Sequence, residues 1–320
     1  MTLTNFSNGL SSFGVPVLPN IPFGKNSKVY FVDPVNGSDG NKGKSSTKPL
    51  KTLLKAHDLC TAGNNDVVYL ISNGATSGTA RQDAILVWSK NATHLIGVCA
   101  PGGNPRARIS NTSGVEFTPM ITWSADGCVC ANISAYQGYD DASAQNCIAI
   151  TGQRNYFANS RFSGMGQATA GDQAGSRSMT LSGDGENIFE SCIIGLDTVP
   201  RSAASAELEL LSASNRNIFK NCIFETYADS ADALFVKVAS GGMDRYCEFF
   251  NCRFLNTGTS TITAAMELNA SAGGKVILSG TSFVEGATDW SAADSALIRL
   301  MTPAAVAATS GLSVSVDVTP

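Results

Sequence analysis

The stretches Asn187–Ile194 (NIFESCII), Asn217–Phe224 (NIFKNCIF) and Glu248–Phe254 (EFFNCRF) carry one pattern: an aromatic, one variable residue, Ser or Asn, Cys, and an apolar residue two places on. Their pivots, Ser191, Asn221 and Asn251, stand 30 residues apart. Looser copies at Leu95–Ala100 (LIGVCA), Cys130–Ala135 (CANISA), Phe157–Phe162 (FANSRF) and Leu278–Phe283 (LSGTSF) extend the series to seven.

Read as a column, the pivot is Gly97, Asn132, Asn159, Ser191, Asn221, Asn251 and Gly280. Most of these types tolerate or cap a left-handed backbone, so a tight bend is expected in every copy. Two residues before the pivot every copy is apolar or Cys (Leu95, Cys130, Phe157, Phe189, Phe219, Phe249, Leu278), and three after it every copy is apolar. The residue after the pivot is small or medium throughout and supplies Cys192, Cys222 and Cys252, which reads as an interior stack. About ten residues earlier, alternating pairs such as Met179/Leu181, Leu208/Leu210, Val236/Val238, Met266/Leu268 and Ile298/Leu300 mark another strand. Such a unit cannot bury its own inner face and must stack on its neighbours, as in a parallel β-solenoid. A propeller blade needs four antiparallel strands in about 40 or more residues, and leucine-rich repeats need a different periodicity.

A bend column followed by a buried stack resembles the right-handed parallel β-helix of the pectate-lyase-like superfamily, over roughly Val67 to Leu300. The expected fold is therefore all-β, a right-handed parallel β-helix of about eight coils with an extended N-terminal arm and a capping helix. The division expected is an arm at 1–27, a cap strand, turn and helix at 28–65, the β-helix at 66–301 and a C-terminal tail at 302–320.

Composition narrows the class. The 320 residues carry a net charge of −4, 15% charged and 43% hydrophobic side chains, with 22 Lys+Arg against 26 Asp+Glu. A folded chain with no basic run argues against nucleic-acid binding, and no apolar stretch reaches the ~18 residues that span a bilayer. The nine cysteines sit in strand patterns rather than paired CxxC spacing, so they read as reduced core residues.

In the cap, Leu50, Leu53, Leu54, His57 and Cys60 recur at helical spacing, with Ser46 or Thr47 as N-cap, Pro49 in the first turn and Gly63 beyond the end. The segment VDPVNGSDGNKGKSSTKPLKTLLKA, from Val32 to Ala56, resembles the opening of many β-helix proteins, both polysaccharide lyases and virion proteins.

Residues 1–24 contain no charged side chain, yet hold Phe6, Leu10, Phe13, Val15, Val17, Leu18, Ile21 and Phe23 among Gly, Asn, Ser and three prolines. Prolines 16, 19 and 22 favour an extended chain, whose apolar anchors need a surface, either the chain's own solenoid or a partner subunit. The phrase SNGLSSFGVPVLP resembles N-terminal segments of tailed-phage structural proteins. That resemblance implies a non-enzymatic virion protein that decorates or cements the capsid, docks on the major capsid protein and other virion subunits through these eight anchors, and forms a homo-oligomer, a trimer. It would be assembled in the host cytoplasm and reside on the capsid surface. The alternative is a phage tailspike, or a polysaccharide lyase or hydrolase, acting on bacterial surface glycans.

No catalytic, cofactor or metal residues are expected. Glu209, Lys237, Glu267 and Arg299 alternate in sign between apolar strand positions and read as an outward ion-pair ladder. Asp140 and Asp141 are adjacent and would point apart on a strand. Asp33, Asn36, Asp39 and Asn41 lack the spacing of a calcium loop and read as turn chemistry. His57 and His94 are the only histidines, too few for a zinc cluster.

Overall fold

A computed structural model describes residues 11–12, 15–16, 26–100, 102–112, 117–291 and 297–301. Among these, a right-handed parallel β-helix presents three long sheets: a first sheet of 10 strands and a second and a third of 8 each. Every sheet is built from strands of successive coils in parallel register. One coil shows the plan. Ala206–Ser212 joins the third sheet, Asn217–Lys220 the first and Ile223–Ala228 the second. The next coil aligns Val236 on Leu208, Phe249 on Phe219 and Phe254 on Phe224.

The expected bend lies between the first and second sheets. Asn132, Asn159, Ser191, Asn221 and Asn251 have φ of 57, 46, 54, 54 and 52°, and Gly280 has 66°. Gly97 serves its column differently: it is absent from the left-handed set, and a Cβ there would stand 2.0 Å from the Asn132 carbonyl oxygen. Glycine is required for the close approach of the next coil.

Inside, identical positions stack. Phe157, Phe189, Phe219 and Phe249 follow one another with ring centroids 4.8, 4.5 and 5.0 Å apart and planes within 9°. Cys192, Cys222 and Cys252 line the bend, each thiol donating to the carbonyl of the phenylalanine one coil back (Phe157, Phe189, Phe219) at 3.5, 3.4 and 3.4 Å. All nine cysteines are free, and all but Cys99 are buried.

The capping helix is shorter than its sequence suggests. It runs Leu53–Leu59 with Thr52 as N-cap, whose Oγ1 accepts from the Lys55 amide at 3.2 Å. Leu50 is instead drawn into a bridge with Val32, and Asp39 takes up the Lys51 and Thr52 amides and the Thr52 hydroxyl, so the chain turns helical only afterwards. Leu53, Ala56 and His57 face the solenoid, whereas Leu54 is exposed. At the other end, the Lys90 ammonium donates to the carbonyls of His57, Asp58 and Cys60 at 2.7, 2.7 and 2.8 Å, tying the helix to the first coil.

Phe6, Leu10, Phe13, Val17, Leu18, Ile21 and Phe23 lie outside the described residues, as does the 302–320 tail. Within residues 1–25 only the backbone pairing of Ser11–Ser12 with Val15–Pro16 is described, without the Val15 side chain. No helix among the described residues is long and apolar enough to cross a membrane.

Candidate active site

Strand alternation decides which side chains leave the core. In Arg161–Ser163, Phe162 turns inward and is 1% exposed, so Arg161 and Ser163 face out from the second sheet. Register then sets Arg108 beside Ser134 and Ser134 beside Arg161, while Tyr136 lies beside Ser163. Two strands beyond Arg161, Glu225 lies opposite Gly195 on the same outward face.

These residues meet across the sheet. The Arg161 guanidinium donates through Nε to Ser163 Oγ at 3.0 Å, pairs through Nη2 with Glu225, and has Asp197 Oδ1 at 3.8 Å from that same Nη2. Ser163 Oγ in turn donates to the Gly195 carbonyl at 2.9 Å. Gly195 stands at φ 111°, and a Cβ on it would lie 2.0 Å from the Glu225 carbonyl oxygen and 3.0 Å from Glu207 Cδ. Any side chain there would press on the Glu225 backbone and on the Glu207 side chain.

Asp197 reaches the site because its strand, Ile193–Arg201, is longer than its neighbour demands. The register slips between Leu196 and Pro200, and the extra residues push Asp197 and Thr198 outward as a bulge. The resulting cleft has a volume of about 420 Å³ and is lined by Asn104, Arg106, Arg108, Ser134, Tyr136, Arg161, Ser163 and the bulge.

Glu225 is not among the lining residues and meets the cleft through Arg161. Burial pushes the Glu225 carboxyl up to about 7; Arg161 opposes the rise, and Asp197 and Glu207 add to it. A carboxyl in that range exchanges protons at neutral pH. Further along the same sheet, burial and the like charges of Arg106 and Arg81 hold the Arg108 guanidinium below its ordinary value. Among the described residues no carboxylate pairs with Arg81, Arg106 or Arg108, although Arg108 rests 5.9 Å from the Tyr136 ring centroid. Of these three, Arg106 and Arg108 line the cleft and leave its positive charge there uncompensated. Tyr136 donates to the Gly166 carbonyl at 2.8 Å, and burial raises its phenol.

The charged residues singled out from the sequence lie elsewhere. Glu209 aligns with Lys237 and Lys237 with Glu267 on the third sheet, with Arg177–Glu209 at 2.7 Å and Lys237–Glu267 at 3.0 Å. Arg299 is not part of that ladder: its strand belongs to the first sheet, where it aligns with Ile277. Asp140 accepts from Thr169 and Asp141 from Ser143, while Asp33 caps the Val35 and Asn36 amides. His57 receives the Ser89 amide on Nε2 and His94 the Val129 amide on Nδ1; both are buried in the first coils. Among the described residues no cluster of three or more His, Cys, Asp or Glu is placed to share a cation.

The cleft had one signal in the sequence. The fourth position past the pivot reads Pro101, Tyr136, Ser163, Gly195, Glu225, Leu255 and Val284, a column with no shared residue type in contrast to the apolar one before it.

No protein-family model and no curated protein matches the chain. Among solved structures, a pectin methylesterase in complex with a hexasaccharide is similar at a TM-score of 0.51 and 16% identity, over 88% of this chain and 94% of that one. A second pectin methylesterase complex, with another hexasaccharide, reaches 0.51 and 15% over the same shares. A rhamnogalacturonan lyase reaches 0.53 and 13%, over 81% of this chain and 68% of that one. The expectation of a non-enzymatic chain is corrected here: the folds it matches belong to enzymes, and the paired carboxylates missing from the sequence reading come together on Arg161. The architecture is thus that of the pectate-lyase-like right-handed parallel β-helix, at an identity that speaks for fold alone.

Proposed function

We propose that this protein acts on an acidic polysaccharide, cleaving it by elimination in the cleft of the second sheet. The observation that carries this reading is the juxtaposition of a proton-exchanging carboxyl, Glu225 with Asp197 on Arg161, and two uncompensated arginines, Arg106 and Arg108. The solved structures of similar fold that act on pectin or on rhamnogalacturonan support the choice of a uronic-acid-containing chain.

Elimination suits the geometry better than hydrolysis. A hydrolase places two carboxyls on either side of the glycosidic bond, about 5 to 9.5 Å apart. Here both carboxylates converge on one guanidinium nitrogen, on one side of the cleft. In elimination, Glu225 as carboxylate takes the proton next to the sugar's carboxyl group. The C–H electron pair becomes the ring double bond, the C–O bond to the leaving sugar breaks, and the leaving oxygen takes a proton from water. Arg106 and Arg108 pair with the substrate carboxylate and stabilise the charge that grows on it in the transition state.

The test is incubation with a panel of acidic glycans, including polygalacturonate and bacterial capsular polysaccharides, monitoring the ultraviolet absorbance of unsaturated sugar ends alongside total reducing ends. Elimination yields both in equal number, with a rate that rises as pH passes about 7 and falls at least ~100-fold in Glu225→Gln. Reducing ends without unsaturation would make the protein a hydrolase, and neither binding nor cleavage across the panel would sink the proposal.

A further inference from the structure

Next to Gly195 lies an ion pair that the reaction does not touch. Arg201 and Glu207 have 0% and 1% exposed side chains and meet at 3.0 Å, Nε to Oε1. Removing two charges from water is costly, and an apolar pair of similar volume commonly holds a fold as well. Its connections show what it holds. Arg201 Nη1 donates to the Met165 and Val199 carbonyls, both at 2.9 Å, and Nη2 to the Gly164 carbonyl at 3.4 Å. Glu207 Oε2 accepts from Ser178 Oγ at 2.5 Å, and Ser178 Oγ itself accepts from the Gly164 amide at 2.9 Å.

Two backbone segments are gripped in this way. Gly164 and Met165 continue the strand of Arg161 and Ser163, and Val199 closes the bulge of Asp197 and Thr198. Gly195 adjoins the pair: its missing Cβ would lie 3.0 Å from Glu207 Cδ.

We infer that Arg201 and Glu207 are positioning residues: they set the spacing between Arg161 and the Asp197 bulge, and through Gly195 they impose a negative neighbour on Glu225. The inference rests on the cleft being the functional site. The charged groups acting on Glu225 are Arg161, Asp197 and Glu207. Of these, Glu207 is the one that substrate cannot reach, so its influence persists in the occupied cleft.

Two variants test this without any substrate. Carbon-13 NMR titration of the Glu225 carboxyl, assigned by its loss in Glu225→Gln, is compared between the parent and Glu207→Gln. Gln keeps the side chain's shape while removing its charge, so the midpoint shifts down by about half a pH unit or more, with the fold retained by circular dichroism. Arg201→Lys keeps the charge but presents a single ammonium in place of the planar fork, so the amides of Leu196, Asp197 and Thr198 exchange with solvent at least ~10-fold faster. A parental Glu225 titration in Glu207→Gln together with parental exchange in Arg201→Lys would reduce the pair to packing. Because neither readout uses a glycan, failure of the elimination reading leaves this result standing, and the converse holds too. On an active parent, Glu207→Gln shifts the pH–rate profile in the same downward direction as the NMR midpoint.

Discussion

Arg161 and Glu225, 64 residues apart in the chain, form an ion pair across the strand that carries Gly195. The pair exists because a solenoid with coils of about 30 residues returns the same sequence position to the same sheet face, one strand spacing of about 4.8 Å further along. A side chain as long as arginine spans two such steps when the intervening residue has none.

Gly195→Ala is expected to damage both stability and site. Alanine at φ 111° is strained, and its Cβ would collide with the Glu225 carbonyl oxygen. A loss of at least about 2 kcal/mol in urea unfolding is expected, from the backbone penalty plus displacement of the neighbouring strand. An unchanged midpoint would show that the strand shifts freely.

Stability should depend on pH through groups of opposite sign. His57 and His94 are held down to about 4 by burial, so between pH 4 and their unfolded value near 6.5 the unfolded chain binds more protons; stability is complete above 6.5 and is lost as pH falls. Glu225 is held up to about 7 by burial, so its share is complete below its unfolded value near 4.5 and is lost as pH rises toward 7. Two histidines outweigh one glutamate, and stability rises with pH from 4.5 to 6.5. Denaturant titrations should show Glu225→Gln steepening that rise and His94→Gln flattening it; identical slopes in all three proteins would refute the assignment.

Lys90→Met should loosen the cap. The ammonium satisfies three carbonyls at the end of the Leu53–Leu59 helix, and the thioether offers them no donor. About 2 kcal/mol of stability should be lost, together with faster amide exchange confined to the cap. Exchange that rises equally in the distant coils would mean the cap and solenoid unfold as one unit.

Thiol labelling should divide the cysteines sharply. Cys99 alone is half-buried, while burial pushes the thiols of Cys60, Cys128, Cys130, Cys147, Cys192, Cys222 and Cys247 up, and Cys252 is buried as well. A disulfide-exchange reagent should modify one thiol in the native protein and nine in denaturant. Phe219→Ala, which opens the aromatic stack, should cost about 3 to 5 kcal/mol and expose further thiols to the reagent.

What could be read from the amino-acid order alone was everything that recurs. Asn159, Ser191, Asn221 and Asn251 announce their bend because left-handed backbone restricts the residue types that fill it, and the Phe and Cys columns announce the core because the middle coils bury the same positions; at the two ends Val98 and Phe283 are exposed, and Val284 takes the place beside Phe254. The alternating Glu209, Lys237 and Glu267 were legible for the same reason, whereas Arg299 looked like their continuation until the final coil placed it in another sheet. The cleft is different in kind. Arg108, Arg161, Asp197 and Glu225 come from four coils, occupy outward positions that no shared constraint repeats, and depend on a bulge at one strand and a missing side chain at another. Stacking turns periodicity into sequence signal, but a site made where the periodicity is broken becomes visible only when the coils are laid on one another.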